Sequence, residues 1–462
     1  MNSLHTMHIL DIDGNVVYNP NKRRTTTQKR NINMIQEFSV ENYRSIKTKQ
    51  TLSFLANPKV HTEFDDYLIT RINNSVGLLK TCLLYGYNAS GKSNLLMAFD
   101  FLRSLVVSGP STKDDSTAFI PFALDAETVK QPGTFTLIFF IGSVRFEYEV
   151  SLDSYHIRHE SLRFTPQRRI TTLFTRSYDE EHAVSRLTIG QSCGFSAKDK
   201  TILQGNTIEN CTLLFAYQRS NVHSAVLDQV VSYFKNTCMP LINQGRSLNP
   251  WGREQLKTYA ERKGFFRAFL EKADFQIADF EIHTPVHHAD IATLAEQGAL
   301  TQAPKALNQD GQVDNKELLF THITDQGSYQ IPSWNESEGT MRYFGLGGIL
   351  QQMILSPQVV AIDDLEVSLH PDLVTFFLQM FFMNTHTSQL MVTTHAQYLM
   401  EQDYIRNDMV WFCEKQPDGG SEYFSAQDFK LHKNNNLANF YQSGKLGAKP
   451  VLGSPLLTRD GQ

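Results

Sequence analysis

The sequence lacks any apolar run of the roughly 18 residues that a membrane-spanning helix needs. Its first residues carry acidic side chains where a secretory signal has an uninterrupted apolar segment. Only five cysteines occur among 462 residues, and none forms a CxxC pair, so neither a zinc site nor a disulfide framework is predicted. Together these absences predict a cytoplasmic protein with reduced cysteines and no membrane partner.

An excess of charge of one sign is also missing, because 43 basic and 48 acidic residues give a net charge of -5. Such a chain is not expected to coat nucleic acid nonspecifically. The net charge is compatible with a local basic groove, so direct nucleic-acid binding is left undecided. What is present is a globular composition: the chain is 41% hydrophobic, enough for a large core, and its length predicts roughly three domains of about 150 residues each.

Changes in residue pattern divide the chain into five predicted segments. Alternating β-formers between residues 133 and 164 predict an antiparallel meander, and helical spacing over about 221–274 predicts helices. The predicted segments are a flexible N-terminal tail (1–33), the N-terminal half of an α/β head (34–164), an inserted, largely helical lobe (165–310), the C-terminal half of the head (311–452) and a short tail (453–462).

Short apolar runs in the two halves of the head predict buried parallel strands. The first is followed by a glycine turn and by apolar residues at helical spacing. The predicted strands are Leu78–Tyr85, Val359–Ile362 and Leu390–Thr394, and the predicted helices of the second half are Thr340–Leu355 and Pro371–Met383.

The strongest local motif is a glycine-rich loop at residues 86–93 that fits GxxxxGK[ST] at every fixed position. Glycines allow successive N–H groups to point into one concavity, which together with a helix N-terminus attracts phosphate. Lys92 is predicted to bind the β- and γ-phosphates, and Ser93 to bind Mg²⁺. A purely structural turn does not require Lys-Ser at this point. The predicted nucleotide-binding residues of the loop are Gly86, Asn88, Ala89, Ser90, Gly91, Lys92 and Ser93.

A second motif places two carboxylates directly after the predicted strand Val359–Ile362. A strand that ends in aspartate carries the carboxylate to the carboxyl edge of the sheet, beside the phosphate loop. Asp363 is predicted to hold Mg²⁺ through water, and Asp364 to orient or deprotonate the attacking water. We expect the following turn to carry Glu366 away from the γ-phosphate, which makes Glu366 the less likely base. The alternative is an ordinary polar turn before a helix that begins at Pro371.

Three further residues complete the predicted site. Ser337 and Gly339 open the helix before the second motif, and we predict that they contact the γ-phosphate bound by another subunit. The alternative is that Ser337 is only the N-cap of that helix. His395 ends a predicted strand and is placed to reach the γ-phosphate, although a lone histidine is more often structural.

Taken in order, GYNASGKSN, ESEGT, VAIDDLEVSLHP and VTTHAQYL resemble the phosphate loop, signature, second acidic motif with its D-loop, and switch histidine of ABC-class ATPases. The motifs resemble most the SMC/OLD-type branch found in anti-phage systems. Residues 35–46 resemble the opening strand of that branch, and residues 441–450 resemble its usual ending. The resemblance spans about residues 34–452. Within the branch, length and layout are most similar to the AriA ATPases of the PARIS defence system.

This resemblance implies an ABC-type head with an antiparallel β-layer, ATP and Mg²⁺ as cofactors, and sites shared between subunits of at least a homodimer, with a hexamer allowed. It also implies a sensor and scaffold that answers a phage-encoded trigger and holds or releases a separate Toprim nuclease effector such as AriB. No Asp-x-Asp sequence follows His395, which agrees with a nuclease on another chain.

The sequence departs from the family pattern at Asp364, where the family usually has glutamate. The shorter side chain retracts the carboxylate by about 1.5 Å, one C–C bond, so slow hydrolysis is expected. No Gln-loop glutamine is assigned. The alternative functions are an SMC-like DNA-maintenance ATPase, against which no sustained heptads appear, and a transporter ATPase, against which the signature lacks the Leu-Ser-Gly-Gly-Gln form.

Overall fold

The computed structural model describes residues 32–182, 184–243, 263–273, 275–283, 317–429, 437–450 and 453–454. The predicted N-terminal tail (except residues 32 and 33), the polar segment 284–311 and most of the C-terminal tail lie outside the described residues. The chain divides into two compact units. Among described residues, the smaller unit comprises 263–273, 275–283, 317–352 and Ser368–Phe377, and the larger unit comprises the rest.

The described residues form the following strands and helices. The strands are β1 Asn33–Glu41, β2 Gln50–Ser53, β3 Ile69–Arg71, β4 Gly77–Leu79, β5 Thr81–Tyr85, β6 Gly133–Ile141, β7 Val144–Leu152, β8 Ile157–Thr165, β9 Thr171–Asp179, β10 Val184–Ile189, β11 Ile277–His283, β12 Glu317–Thr324, β13 Gly327–Pro332, β14 Val359–Ile362, β15 Gln389–Thr393, β16 Val410–Lys415 and β17 Ser421–Ser425. The helices are α1 Asp65–Leu68, α2 Lys92–Val107, α3 Ala197–Asn206, α4 Leu213–Gln218, α5 Ala225–Ser232 continued by a π-turn at Tyr233–Thr237, α6 Lys263–Glu271, α7 Glu338–Leu355, α8 Pro371–Asn384 and α9 Leu437–Gln442.

Strands from the N-terminal and the C-terminal parts of the sequence together form a five-stranded sheet in the larger unit. Its order is β14-β15-β5-β16-β17, with the first four strands parallel and β17 antiparallel. Every residue of β5, β14 and β15 is buried, as expected for parallel strands covered on both faces. The carboxyl ends of β5, β14 and β15 therefore lie side by side at one edge of the sheet.

A seven-stranded antiparallel sheet forms the second β-layer of the larger unit, with the order β10-β9-β8-β7-β6-β1-β2. The predicted α/β class with an antiparallel layer is confirmed. The predicted boundary between residues 164 and 165 is wrong, because β9 pairs with β8 and β10 pairs with β9 in this same sheet. The edge strand β10 buries none of its residues completely, so its alternation gives a weak signal in the sequence.

The smaller unit is built on a three-stranded antiparallel sheet, β11-β12-β13, and on aromatic packing against α7. Phe269 of α6 stacks on Tyr343 with ring centroids 4.5 Å apart, and Phe266 lies 5.0 Å from Phe344. Strand β11 falls within the segment predicted to be a largely helical lobe. That segment is helical only in part, because β11 pairs with β12 of the C-terminal half.

The predicted strand Leu78–Tyr85 is in fact two strands, because it breaks at Lys80. Lys80 is 2% exposed, and its Nζ donates to the carbonyl oxygens of Phe382 (2.7 Å) and Thr385 (2.8 Å) at the end of α8. A buried lysine thus satisfies carbonyls that α8 leaves unpaired at its C-terminus. The other predicted strands and helices of the C-terminal half match the observed bounds within two residues. No described helix is both long and apolar enough to cross a membrane.

Candidate nucleotide site

The glycine-rich loop connects the end of β5 at Tyr85 with the start of α2 at Lys92. Ala89 and Gly91 have left-handed backbone conformations, with φ of 66° and 114°. A Cβ at Gly86 would lie 2.5 Å from the carbonyl oxygen of Cys413, so no larger residue fits there without a shift. No acidic residue lies in the first turn of α2, where the N–H groups lack intrahelical acceptors. The loop therefore presents a helix N-terminus suited to an anion.

The outer side of the loop is held by residues that the sequence did not single out. Ser421 Oγ donates to the carbonyl oxygen of Ser90 (2.6 Å), and the Tyr423 hydroxyl donates to that of Gly91 (2.7 Å). A Cβ at Gly91 would lie 2.1 Å from Ser421 Oγ and 2.7 Å from Ser45 Oγ, so a larger residue would make both side chains shift, and the positive φ by itself favours glycine. The only signal in the sequence was the position of Ser45 within the segment that resembles the family's opening strand.

Ser90 differs from the exposed loop residues Asn88 and Ala89 because its side chain is buried. Its N–H donates to the carbonyl oxygen of Tyr87 at 3.1 Å. Its Oγ has no hydrogen-bond partner within the described part of the chain and lies against Gly86, where a Cβ would be 2.7 Å away. In this conformation the N–H and Oγ of Ser90 face the loop itself, and its predicted contact with nucleotide remains a prediction.

The ammonium group of Lys92 uses its three N–H donors within the chain. Its Nζ lies 2.9 Å from the carbonyl oxygen of Gly86, 3.3 Å from that of Tyr87 and 3.2 Å from Nε2 of His395. Burial lowers the pKa of Lys92, although the nearby carboxylates act in the opposite direction. Because an ammonium has only three donors, a bound phosphate must displace at least one of these acceptors. Lys92 and His395, predicted from separate motifs, thus lie in direct contact.

Asp363 joins the second acidic motif to the phosphate loop. Its Oδ1 accepts hydrogen bonds from Ser93 Oγ at 2.9 Å and from Thr393 Oγ1 at 2.6 Å. The Thr393 hydroxyl in turn accepts from the N–H of Asp364 at 2.8 Å, so it orients both acidic residues. Asp363 is 7% exposed. The role of Thr393 was not predicted, because a buried threonine at a strand end is a common structural residue.

The residues after Asp363 form a strained turn that brings a second carboxylate back to the sheet edge. Asp364 has a left-handed φ of 49°. The turn places the Glu366 carboxylate against the carboxyl end of β15, because Thr394 Oγ1 donates to Glu366 Oε2 at 2.7 Å and the N–H of His395 donates to Oε1 at 2.5 Å. That Glu366 lies away from the γ-phosphate stays a prediction. The motif thus supplies the carboxylates of Asp363, Asp364 and Glu366 to this region. The Glu366 carboxylate binds the backbone segment that carries His395.

Ser337 and Gly339 belong to the smaller unit and are described within it. Ser337 Oγ accepts a hydrogen bond from the N–H of Thr340 at 3.0 Å, so Ser337 caps α7 as the structural alternative states. A Cβ at Gly339 would lie 2.6 Å from the carbonyl oxygen of Ser368, which explains glycine there by close packing. Ser337 is exposed at the start of this helix. Contact with a nucleotide in another subunit remains a prediction.

The residues present fit a divalent cation bound together with phosphates. Ser93 and Asp363 place one hydroxyl and one carboxylate oxygen 2.9 Å apart. Within the described ranges, no cluster of three or more His, Cys, Asp or Glu side chains forms a metal cage. Mg²⁺ prefers oxygen ligands and is usually held by one or two carboxylates plus substrate phosphates, so this small donor set is the kind it requires.

Comparison with known proteins identifies the class of the site. A family model described as "AAA domain, putative AbiEii toxin, Type IV TA system" matches residues 83–191 and 239–401, more than half of the chain. The chain belongs to this family. The matched ranges include the phosphate loop, Asp363 and His395. AAA domains are nucleotide-hydrolysing P-loop ATPases that typically use Mg²⁺, and the chain is therefore an ATPase of this class. No curated protein matches the sequence.

Solved structures with a similar arrangement include two SMC heads. The SMC head domain from Thermotoga maritima is 11% identical, and the match covers 85% of this chain and 98% of that chain with a TM-score of 0.38. The SmcHead bound to the C-winged helix domain of ScpA is 12% identical, with 85% and 97% of the two chains covered and a TM-score of 0.43.

Proposed function

We propose that this chain binds ATP with Mg²⁺ and hydrolyses it slowly, as the nucleotide-dependent sensor and scaffold of a cytoplasmic anti-phage defence system. The observation that carries ATP binding is the convergence of four predicted residues at one sheet edge: Lys92 contacts His395, and Ser93 contacts Asp363. Their motifs lie at opposite ends of the sequence, and no single structural turn requires all four.

The chain's own residues have distinct parts in this proposal. Lys92 leaves the loop carbonyls and His395 to bind the β- and γ-phosphates. Ser93 and Asp363 hold Mg²⁺, which when bound neutralises phosphate charge. Asp364 orients the attacking water and accepts its proton, and His395, released from Lys92, donates to the γ-phosphate.

A second part of the proposal concerns the partners of this chain. ABC-type heads of the SMC/OLD branch act as pairs, so we propose a homodimer in which Ser337 and Gly339 of one subunit complete the site of the other, with a hexamer as a larger closed form. The resemblance to AriA of PARIS supports a separate Toprim nuclease such as AriB as the effector and a phage-encoded protein as the trigger. ATP would hold the assembly, and the trigger would release the nuclease.

Two measurements test the proposal. Purified full-length chain should bind labelled ATP with Mg²⁺ and turn it over slowly, and the same chain isolated from phage-infected and uninfected cells should retain a nuclease only before infection. The chain alone should cleave neither DNA nor RNA. Absence of ATP binding would refute the site, while DNA-stimulated ATPase activity with no nuclease partner would favour the SMC-like alternative.

A further inference from the structure

The carboxylate of Glu366 binds the chain at the carboxyl end of β15. Its two oxygens accept from two different donors: Oε2 from the Thr394 hydroxyl at 2.7 Å and Oε1 from the N–H of His395. The Thr394 hydroxyl also accepts from the N–H of Ala396 at 3.0 Å. The turn that carries His395 is therefore fixed from both sides.

His395 itself is exposed, whereas Thr394 is buried. Only the main chain of His395 is held by Glu366, while its ring reaches Lys92, with Nε2 3.2 Å from Nζ. The place of the ring is thus set by the backbone turn that Glu366 binds. A carboxylate makes stronger hydrogen bonds than a neutral acceptor, which suits it to fix an exposed turn.

We infer that Glu366 is a positioning residue that holds His395 at the phosphate-binding position. This inference rests on the proposed function, because His395 acts on the γ-phosphate there. Glu366 touches no nucleotide and takes no proton. Its effect on hydrolysis passes through His395 alone, which separates it from Asp364, the residue that orients water.

The first test replaces Glu366 by glutamine, which has the same size. The amide offers one acceptor oxygen instead of two, and its NH₂ group cannot accept from a hydroxyl or an N–H. We expect kcat to fall about tenfold or more, as for loss of a hydrogen bond to a charged group, while the Kd for ATP stays within about twofold. Glu401→Gln removes the same charge from an exposed carboxylate six residues after His395 and should change neither.

A double-mutant cycle separates positioning from direct catalysis. If Glu366 acts through His395, then Glu366→Gln has no further effect in a His395→Ala background, and the double variant has the kcat of His395→Ala. If the kcat of the double variant instead falls by the product of the two single-variant factors, the inference is overturned and Glu366 acts as a base. Thr394→Ser, which keeps the hydroxyl, should retain the wild-type kcat, and Thr394→Val should lower it.

Amide hydrogen exchange of residues 393–397 in the nucleotide-free chain gives a readout that needs no activity. We expect faster exchange in Glu366→Gln than in wild type or Glu401→Gln. Equal exchange in all three would overturn the inference even if the wild type hydrolyses ATP. A wild-type chain that binds no ATP would refute the proposed function instead, and the inference with it.

Discussion

Ser93 Oγ lies 2.9 Å from Asp363 Oδ1, although 270 residues separate them in the sequence. Ser93 is the last residue of the glycine-rich loop, and Asp363 directly follows strand β14 of the C-terminal half. Their contact is possible because β5 and β14 both lie parallel to β15 in one sheet. The two halves of the site are therefore assembled within a single chain, and changes in either half should affect the same reaction.

Replacing Lys92 with alanine should abolish ATP binding. The change removes the side-chain cation of the phosphate loop, and charge-assisted hydrogen bonds to phosphate are among the stronger polar contacts. Titration with labelled ATP measures the effect, with Lys49→Ala, an exposed lysine, as the matched control. Wild-type affinity in Lys92→Ala would contradict the proposed site.

Asp364→Asn should trap ATP, because an amide cannot accept a proton from the attacking water. Asp364→Glu should hydrolyse ATP faster, since it restores about 1.5 Å of reach. The same substitution should lower the thermal midpoint, because a left-handed conformation costs a residue with a long side chain about 1–2 kcal/mol. Single-turnover hydrolysis and thermal unfolding measure the two effects. Hydrolysis that survives in Asp364→Asn would exclude Asp364 as the base that accepts the proton of the attacking water.

Mixed oligomers test whether Ser337 acts across a subunit boundary. Lys92→Ala chains and Ser337→Arg chains should each be inactive alone. Mixing them leaves some composite sites with both defects and others with neither, so part of the ATPase activity should return. If verified mixed oligomers show no recovery, the site does not take Ser337 from a neighbouring subunit.

The pair Asp65–Arg406 should make stability depend on pH. Arg406 Nη1 donates to Asp65 Oδ1 at 2.6 Å, and the Arg406 side chain is 0% exposed. Burial by itself raises the pKa of Asp65, but the hydrogen bond and charge of Arg406 outweigh it and leave the pKa below its usual value. The stability from this carboxylate is therefore present above about pH 4 and lost as pH falls through the lowered pKa.

Asp65→Asn should accordingly reduce the free energy of unfolding by about 1.5–3 kcal/mol at neutral pH, the range for hydrogen bonds to charged groups. The difference from wild type should shrink as the pH falls below about 4. Urea unfolding at several pH values measures it, with the exposed neighbour Asp66→Asn as the control. A difference that stays constant with pH would show that the carboxylate charge of Asp65 is not the cause.

The sequence predicted much of the sheet that carries the site, because β14 and β15 are short apolar runs bounded by turns. It failed where a strand is polar or broken by a buried charge. Strand β10 alternates weakly because it lies at a sheet edge, and Lys80 interrupts an apolar run because it caps a helix more than 300 residues away. Pairing partners at that distance leave no local pattern.

Prediction of the candidate site from the sequence had the same limit. Lys92, Ser93, Asp363 and His395 were predicted because their residue types and spacing match the chemistry of phosphate binding. The contact of Glu366 with His395 and the bridge made by Thr393 were not, because each depends on the backbone path of a turn. Left-handed φ at Asp364 sets that path; aspartate is enriched among residues with positive φ, but most aspartates do not adopt it, so the residue type alone does not predict the turn.

The place of β5 in the middle of its sheet has a consequence during synthesis on the ribosome. Both strands that flank it, β15 and β16, come from the C-terminal part of the chain, and Thr81 meets Leu390 309 residues later. At about 5–20 residues per second, that interval lasts roughly 15 to 60 s. During this interval the apolar strand β5 of the nascent chain has neither β15 nor β16 to pair with. The yield of folded protein should therefore depend on chaperones that cover such segments until translation passes β16.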